Sequence, residues 1–254
     1  MQEGNIAIIG GTGFEQLPPE IFAEEVSVET PHGKVTVLSV SDNYVEPHKL
    51  YFVSRHGATH GIAPHQIDYS ANIKALEMLG VKYAIATNAV GSLRTNLQPG
   101  ELVLFDDFID FTRNRTLTYF QDEHPWSHVD FSVPYSDVVR AAILETSAAM
   151  GVDVHPRCTY LCADGPRFET PAEVRLFASW GADVVGMTGL PEAVFAREAG
   201  IEYAAVGIVT NLAAGLASGT VSHEAVATVM CDKLATVREL LVNSCAAILR
   251  QPIL

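Results

Sequence analysis

Short apolar runs alternate with segments of helical period along the whole chain, and this alternation constrains the fold more than any other feature. The strand-like runs are Ile6–Ile9, Val35–Val40, Leu50–Ser54, Tyr83–Thr87, Leu102–Phe105, Arg157–Leu161, Val184–Met187 and Tyr203–Val209. Between them, Tyr69, Ile73, Leu76 and Leu79 fall at helical spacing before Gly80. Thr170-Pro-Ala-Glu173 is a capping box with proline at the first helical position, opening a helix expected to end near Gly181. Another helix is expected to begin near Pro191. Val226, Met230, Leu234, Val237, Leu241, Cys245 and Ile248 form one stripe on a long final helix, capped by Ser222 or Thr220. The pattern implies one α/β domain over residues 1–254, with a mostly parallel or mixed central sheet. The least regular stretch is Thr112–Pro134, expected to be a functional loop or an inter-subunit arm.

The formal net charge of −14 argues against nucleic acid or an anionic membrane surface as partner. It leaves room for a small anion held by local donors. No apolar run is long enough to span a membrane, and the start of the chain lacks a basic leader, so a cytoplasmic protein is expected. Cys158, Cys162, Cys231 and Cys245 are scattered and read as small buried hydrophobes in a reducing compartment.

Four segments at strand ends have the composition of an anion site. Gly10-Gly-Thr-Gly13 follows the first strand; its amides can converge on an anion, and Thr12 adds a hydroxyl. It is neither a dinucleotide fingerprint nor a P-loop. Arg55-His56 pairs a guanidinium, which binds oxyanions bidentately, with an imidazole. His56, His60 and His65 lack a spaced carboxylate or cysteine to complete a ligand set, so no metal is expected. Thr87-Asn-Ala-Val-Gly-Ser-Leu93 reads as a strand ending in a turn of small residues. In Gly186-Met-Thr188, Met187 has the shape to lie against an apolar ligand face and Thr188 a hydroxyl to give to an anion; Glu192 reads as a solvated first-turn carboxylate. Each segment is equally compatible with an ordinary loop.

Glu169, just before the capping box helix, and Asn211, at the end of the run from Tyr203, have complementary hydrogen-bonding capacity. A 6-oxopurine offers N1–H to a carboxylate, and O6 and N7 to a carboxamide. Adenine offers a bare N1 and an amino group instead, and would leave a buried acid unpaired.

Taken together, Gly10-Gly-Thr-Gly13, Thr30-Pro-His-Gly33, Arg55-His-Gly57, Asn72-Ile-Lys-Ala-Leu76, Thr87-Asn-Ala89, Gly91-Ser-Leu93, Gln98-Pro-Gly100, Gly165-Pro-Arg-Phe-Glu-Thr170, Gly186-Met-Thr188 and Pro191-Glu192 resemble, nearly end to end, the trimeric purine nucleoside phosphorylase and methylthioadenosine phosphorylase family. The resemblance implies a mixed sheet with barrel character flanked by helices, and reversible phosphorolysis of a purine nucleoside. Inorganic phosphate is then the co-substrate and no cofactor is needed. It assigns Thr12, Arg55, His56, Asn88, Ala89 and Thr188 to phosphate, Met187 to the ribose, Phe168 to purine stacking, and Glu169, Asn211 and the nearby Ala213 to the base. His128 is assigned to a neighbouring subunit's sugar pocket, so a homotrimer or a hexamer of two trimers is implied. Asn211, Glu169 and His56 are the expected catalytic groups. The opening motif and Arg55-His-Gly57 look like the methylthioadenosine branch, whereas Glu169, Asn211 and Ala213 look like the 6-oxopurine branch. That mixture resembles the S-methyl-5'-thioinosine phosphorylases. His223 matches a residue that meets a 5'-hydroxyl only after a two-residue shift, so inosine or guanosine stays open as substrate, as does methylthioadenosine. A nucleotide-sensing α/β domain is the non-enzymatic alternative.

Overall fold

The computed structural model describes residues 4–15, 23–40, 48–121, 127–217, 220 and 222–250. In chain order the elements are β1 (Asn5–Gly10), β2 (Ala23–Thr30), β3 (Gly33–Val40), β4 (Leu50–Ser54), α1 (Tyr69–Met78), β5 (Val81–Ser92), β6 (Leu102–Leu104), β7 (Asp107–Phe111), α2 (Asp137–Met150), β8 (Val154–His155), β9 (Thr159–Ala163), α3 (Pro171–Ser179), β10 (Val184–Gly186), α4 (Glu192–Glu198), β11 (Glu202–Leu212) and α5 (His223–Arg250).

All the strands join one mixed sheet, and β5 organises it. On one edge β5 runs parallel to β1 as far as Ala86; on the other it runs parallel to β11 along almost its whole length. At Gly91 and Ser92 it pairs antiparallel with β10, which in turn lies parallel to β9. Near its carboxyl end β5 therefore hands one edge from β1 to β10. The loops that follow β1, β4, β10 and β11 meet around that switch, the place where open α/β sheets leave a crevice.

Strand alternation sends side chains to two separate cores. Ala7 and Ile9 of β1 join a cluster covered by α1 and α4, with Ile73, Leu76 and Phe195. Ile6 and Ile8 join a second cluster covered by α2 and α5, with Ile143, Met230, Val237 and Leu241. Fully buried side chains such as Ile6, Ile9 and Ile85 each contribute about 1.5–3 kcal/mol of transfer free energy. A small third cluster, including Leu161, Val174, Phe177, Val185 and Ala213, lies under α3.

The α/β architecture implied by the alternation is observed, as a mixed sheet with helices on both faces. The capping box at Thr170 and Glu173 forms as expected, with Thr170 Oγ1 accepting from Glu173 N at 3.2 Å and Thr170 N donating to Glu173 Oε2 at 2.8 Å. Ser222 caps α5 by accepting from Ala225 N at 3.3 Å. Three differences stand out. The segment after Thr87 is not a turn: β5 continues through Ser92, because its small residues fit between β10 and β11. Strands β2, β7 and β8 and helix α2 were not expected. Cys158, Cys162 and Cys245 are buried, but Cys231 is exposed on α5. Part of the irregular Thr112–Pro134 stretch, residues 122–126, lies outside the described residues. No helix among the described residues is long and apolar enough to cross a membrane.

Candidate active site

The crevice at the switch is a cleft of about 360 Å³. Thr12 lines it from the loop after β1, and His56, His60 and Pro64 from the loop after β4. Ala89, Val90 and Gly91 of β5 form its floor, flanked by Val185 to Thr188 at the end of β10. Phe168 and Glu169 approach from the loop before α3, Thr210 and Asn211 from β11, and His223 and Val226 from the start of α5.

One end of the cleft is built around Arg55. Its guanidinium is buried and binds Glu192 through both arms, Nε to Oε2 at 2.7 Å and NH2 to Oε1 at 2.6 Å, while NH1 donates to Thr87 O at 2.8 Å. Burial alone would lower its pKa, but the Glu192 carboxylate more than reverses this and holds it charged. Tyr203 Oη donates to Glu192 Oε1 at 2.7 Å and completes the network. Glu192 is therefore fully buried, not the solvated first-turn residue expected. Arg55 does not line the cleft; it stands behind Gly11, where an added Cβ would come within 2.9 Å of its NH1.

The glycine loop uses much of its own donor capacity. Gly11 N donates to Thr87 Oγ1, Gly13 N to Glu15 Oε1 and Phe14 N to Gly11 O, all at 2.8–2.9 Å. Internal bonds therefore occupy the Gly11, Gly13 and Phe14 amides. What faces the cleft is the Thr12 side. Across from it, Thr188 Oγ1 accepts from Asn88 Nδ2 at 3.0 Å, which leaves the Thr188 hydroxyl hydrogen free to be given elsewhere. Asn88 is buried behind the cleft wall, and its Oδ1 has no partner among the described residues.

His56 has a fixed tautomer. Nδ1 lies 2.8 Å from Ile62 O, and a carbonyl only accepts, so Nδ1 carries the hydrogen and Nε2 the lone pair. Burial, aided by Arg55 and His60 beside it and opposed by the bond to Ile62 O, pushes its pKa down to about 4, so the ring is neutral at pH 7. His60 stacks on it with centroids 4.6 Å apart, and its own Nδ1 meets Glu15 Oε1 at 2.6 Å. His60 has φ = 55°, a left-handed backbone conformation uncommon outside glycine. His223 lies 6.0 Å further along, so three imidazoles border one side of the cleft. His65 lies in a different depression.

The other end is set by a β-bulge. The β5–β11 register passes from Val90↔Val209 to Gly91↔Asn211, and the skipped residue, Thr210, re-aims the strand. Asn211 then stands against Gly91, where a Cβ would come within 3.2 Å of its Nδ2; only glycine leaves that amide its space. Asn211 Oδ1 accepts from Thr210 Oγ1 at 2.9 Å and Nδ2 donates to Leu212 O at 3.0 Å, so one amide hydrogen remains for a ligand. Glu169 is half-buried, and burial raises its pKa above the usual carboxylate range. Phe168 is 38% exposed at the mouth, where an aromatic face is available for stacking.

The fold thus brings Thr12, His56, Ala89, Phe168, Glu169, Met187, Thr188, Asn211 and His223 to one cleft, although they come from across the chain. Arg55 and Asn88 stand directly behind its wall. Ala213 is buried in the third cluster, 3.8 Å from where a Gly91 Cβ would sit, and does not line the cleft. His128 is exposed before α2 and does not line this chain's own cleft. Sequence reasoning did not assign His60, Thr210 or Val226 to the site, nor foresee the buried role of Glu192. The adjacency of Pro191-Glu192 to Gly186-Met-Thr188 was the available signal for the last.

The phosphorylase superfamily matches residues 5–246, and the chain belongs to it. A probable 6-oxopurine nucleoside phosphorylase of Dictyoglomus turgidum is 46% identical over 236 residues, 92% of this chain and 88% of the relative. A probable S-methyl-5'-thioinosine phosphorylase of Methanopyrus kandleri is 43% identical over 212 residues, 83% of this chain and 80% of the relative. Among solved structures, methylthioadenosine phosphorylase from Schistosoma mansoni in complex with adenine superposes with a TM-score of 0.90 at 28% identity, covering 98% of this chain and 93% of that one. The protein is a phosphorylase-type pentosyltransferase.

Proposed function

We propose that this enzyme catalyses reversible phosphorolysis of 6-oxopurine nucleosides, with S-methyl-5'-thioinosine preferred, giving free base and 5-methylthioribose 1-phosphate. One observation carries the reading: an acid and an amide, Glu169 and Asn211, line the same cleft as Thr12, neutral His56 and Thr188. The two sets match the two ends of a nucleoside stacked over phosphate.

Phosphate takes hydroxyl hydrogen bonds from Thr12 and Thr188, and gives a P–OH hydrogen to the Nε2 lone pair of His56. Arg55, behind the glycine loop, supplies positive potential. Ala89 on the floor and Asn88, through Thr188, shape this pocket. A phosphate oxygen attacks C1' as the C1'–N9 bond breaks, and the electron pair of that bond leaves with the purine. Asn211 stabilises the resulting negative charge by donating at N7 or O6, and Glu169 orients the ring by accepting N1–H. Catalysis is then positioning and electrostatics, with no covalent enzyme intermediate. Phe168 stacks on the base and Met187 lies under the ribose. The enzyme works as a homotrimer or paired trimers, with His128 reaching a neighbour's sugar pocket, and acts in the cytoplasm without a cofactor.

His223 favours a second reading at the 5' position. It lines the cleft beside Val226, so a hydroxyl-accepting and an apolar side chain both border that end. Inosine is then also a substrate, and His223→Ala harms inosine far more than methylthioinosine. The test is release of free base from inosine, guanosine, adenosine, methylthioinosine and methylthioadenosine, each with and without phosphate. The proposal requires phosphate-dependent release from the 6-oxopurines. Cleavage confined to the adenine nucleosides contradicts it.

A further inference from the structure

Arg115 belongs to the irregular connection between β7 and α2 and does not line the active-site cleft. Its side chain is nevertheless only 4% exposed. The guanidinium sits between two loops that leave parallel neighbours of the sheet. At the end of β9 and the start of the loop after it, NH2 donates to Ala163 O at 3.4 Å and to Asp164 O at 3.1 Å. From the loop after β10, NH2 donates to Met187 O at 2.7 Å and NH1 to Leu190 O. Strands β9 and β10 pair only as far as Cys162 and Gly186. Beyond that point one planar cation bridges carbonyls of both segments. The first loop goes on to Phe168 and Glu169; the second carries Met187 and Thr188.

The cation is itself held in place. It packs over the Tyr69 ring at 5.1 Å, and NH1 donates to Tyr69 Oη at 3.2 Å. Three residues further along, Thr118 Oγ1 and Tyr119 N donate to the Glu198 carboxylate at 2.6 and 2.8 Å, and Tyr119 Oη to Ser70 O at 2.7 Å. The connection is therefore pinned to α1 and α4 just after Arg115.

We infer that Arg115 is a positioning residue that fixes the span between the Phe168–Glu169 loop and the Met187–Thr188 loop, and so the alignment of base, sugar and phosphate. The inference rests on the phosphorolysis reading. A 1 Å misplacement of reacting groups costs on the order of 100-fold in turnover, whereas the base keeps Asn211 and phosphate keeps Thr12 and His56, outside both loops, so that each fragment alone still binds. Lysine places one compact charge where a planar fork is needed and does not substitute.

The test compares wild type with Arg115→Met, Arg115→Lys and Arg115→Ala, each assayed at least about 15 °C below its own melting temperature, so that the loss reflects the folded enzyme. Steady-state kinetics with methylthioinosine and inosine are paired with equilibrium binding of hypoxanthine alone and of phosphate alone. Arg115→Met and Arg115→Lys are expected to lose about 100-fold in kcat while each fragment Kd stays within about threefold. Ethylguanidinium is expected to restore part of the lost kcat to Arg115→Ala. A kcat within about threefold of wild type in Arg115→Met overturns the inference, as does a loss of turnover that ethylguanidinium leaves unchanged and that tracks lost fragment binding. If the wild type itself releases no base with phosphate, the phosphorolysis reading fails, and the positioning role for that reaction falls with it.

Discussion

Removing Glu192 should destabilise the fold more than removing any surface charge. Arg55 and Glu192 side chains are both completely buried and joined by two bonds of 2.6 and 2.7 Å. In Glu192→Leu the guanidinium stays charged, because arginine does not release its proton in proteins. It keeps only its bond to Thr87 O, and the Tyr203 hydroxyl loses its acceptor. Breaking a buried pair in this way costs roughly 3–5 kcal/mol. At about 2–4 °C per kcal/mol for a domain of this size, the melting temperature should fall by roughly 6–20 °C. The double variant Arg55→Met/Glu192→Leu replaces both charges with apolar groups of similar volume. It should regain most of the loss, since an apolar pair is often neutral relative to a buried ion pair. Differential scanning calorimetry of the single and double variants forms a double-mutant cycle that isolates the coupling. A Glu192→Leu protein melting within about 2 °C of wild type, or a double variant no better than the worse single, would refute the reasoning.

Asn211→Ala should lower kcat by about 100- to 1000-fold while raising KM only slightly, because its amide is asked to bind charge that appears in the transition state; stopped or continuous base-release assays measure this. Asn211→Asp should move preference from inosine towards adenosine, read as the ratio of kcat/KM values, because an acceptor replaces the amide donor; an unchanged ratio removes Asn211 from base reading. The fold holds His56 below the ordinary histidine pKa, at about 4, so the unfolded chain binds more protons between pH 6.5 and 4. Its contribution is complete above about pH 6.5 and is lost as pH falls towards 4, on the order of 1–3 kcal/mol. Melting curves of His56→Asn should therefore decline less over this window than those of wild type; parallel declines would contradict the buried, neutral ring.

Most of the candidate site was legible because it is written in short segments at strand ends, and those ends are what an α/β sheet gathers. Gly10-Gly-Thr-Gly13, Arg55-His56 and Gly186-Met-Thr188 each follow a strand whose apolar run was plain. What stayed hidden depended on partners distant in sequence. Glu192 looks like any first-turn acid until Arg55, 137 residues away, is placed against it. The small residues from Asn88 to Ser92 look like a turn, yet they are small because β10 and β11 pack against both edges of β5. Strand β2 is largely exposed, so its residues lack a clean apolar period. Helix α2 had local signals, a Ser136 cap and Gly151 in the left-handed conformation, but follows directly on the irregular stretch that hid its start. Arg115 carried no motif at all; its role comes from carbonyls presented by loops about 50 to 75 residues away.

The most direct test is a crystal structure of the enzyme with hypoxanthine and phosphate bound. The account predicts a Glu169 carboxylate oxygen and the Asn211 amide nitrogen each at about 3 Å from the purine, on N1 and on N7 or O6, with phosphate against Thr12, His56 and Thr188. A purine bound with either side chain turned away from its edge would contradict it.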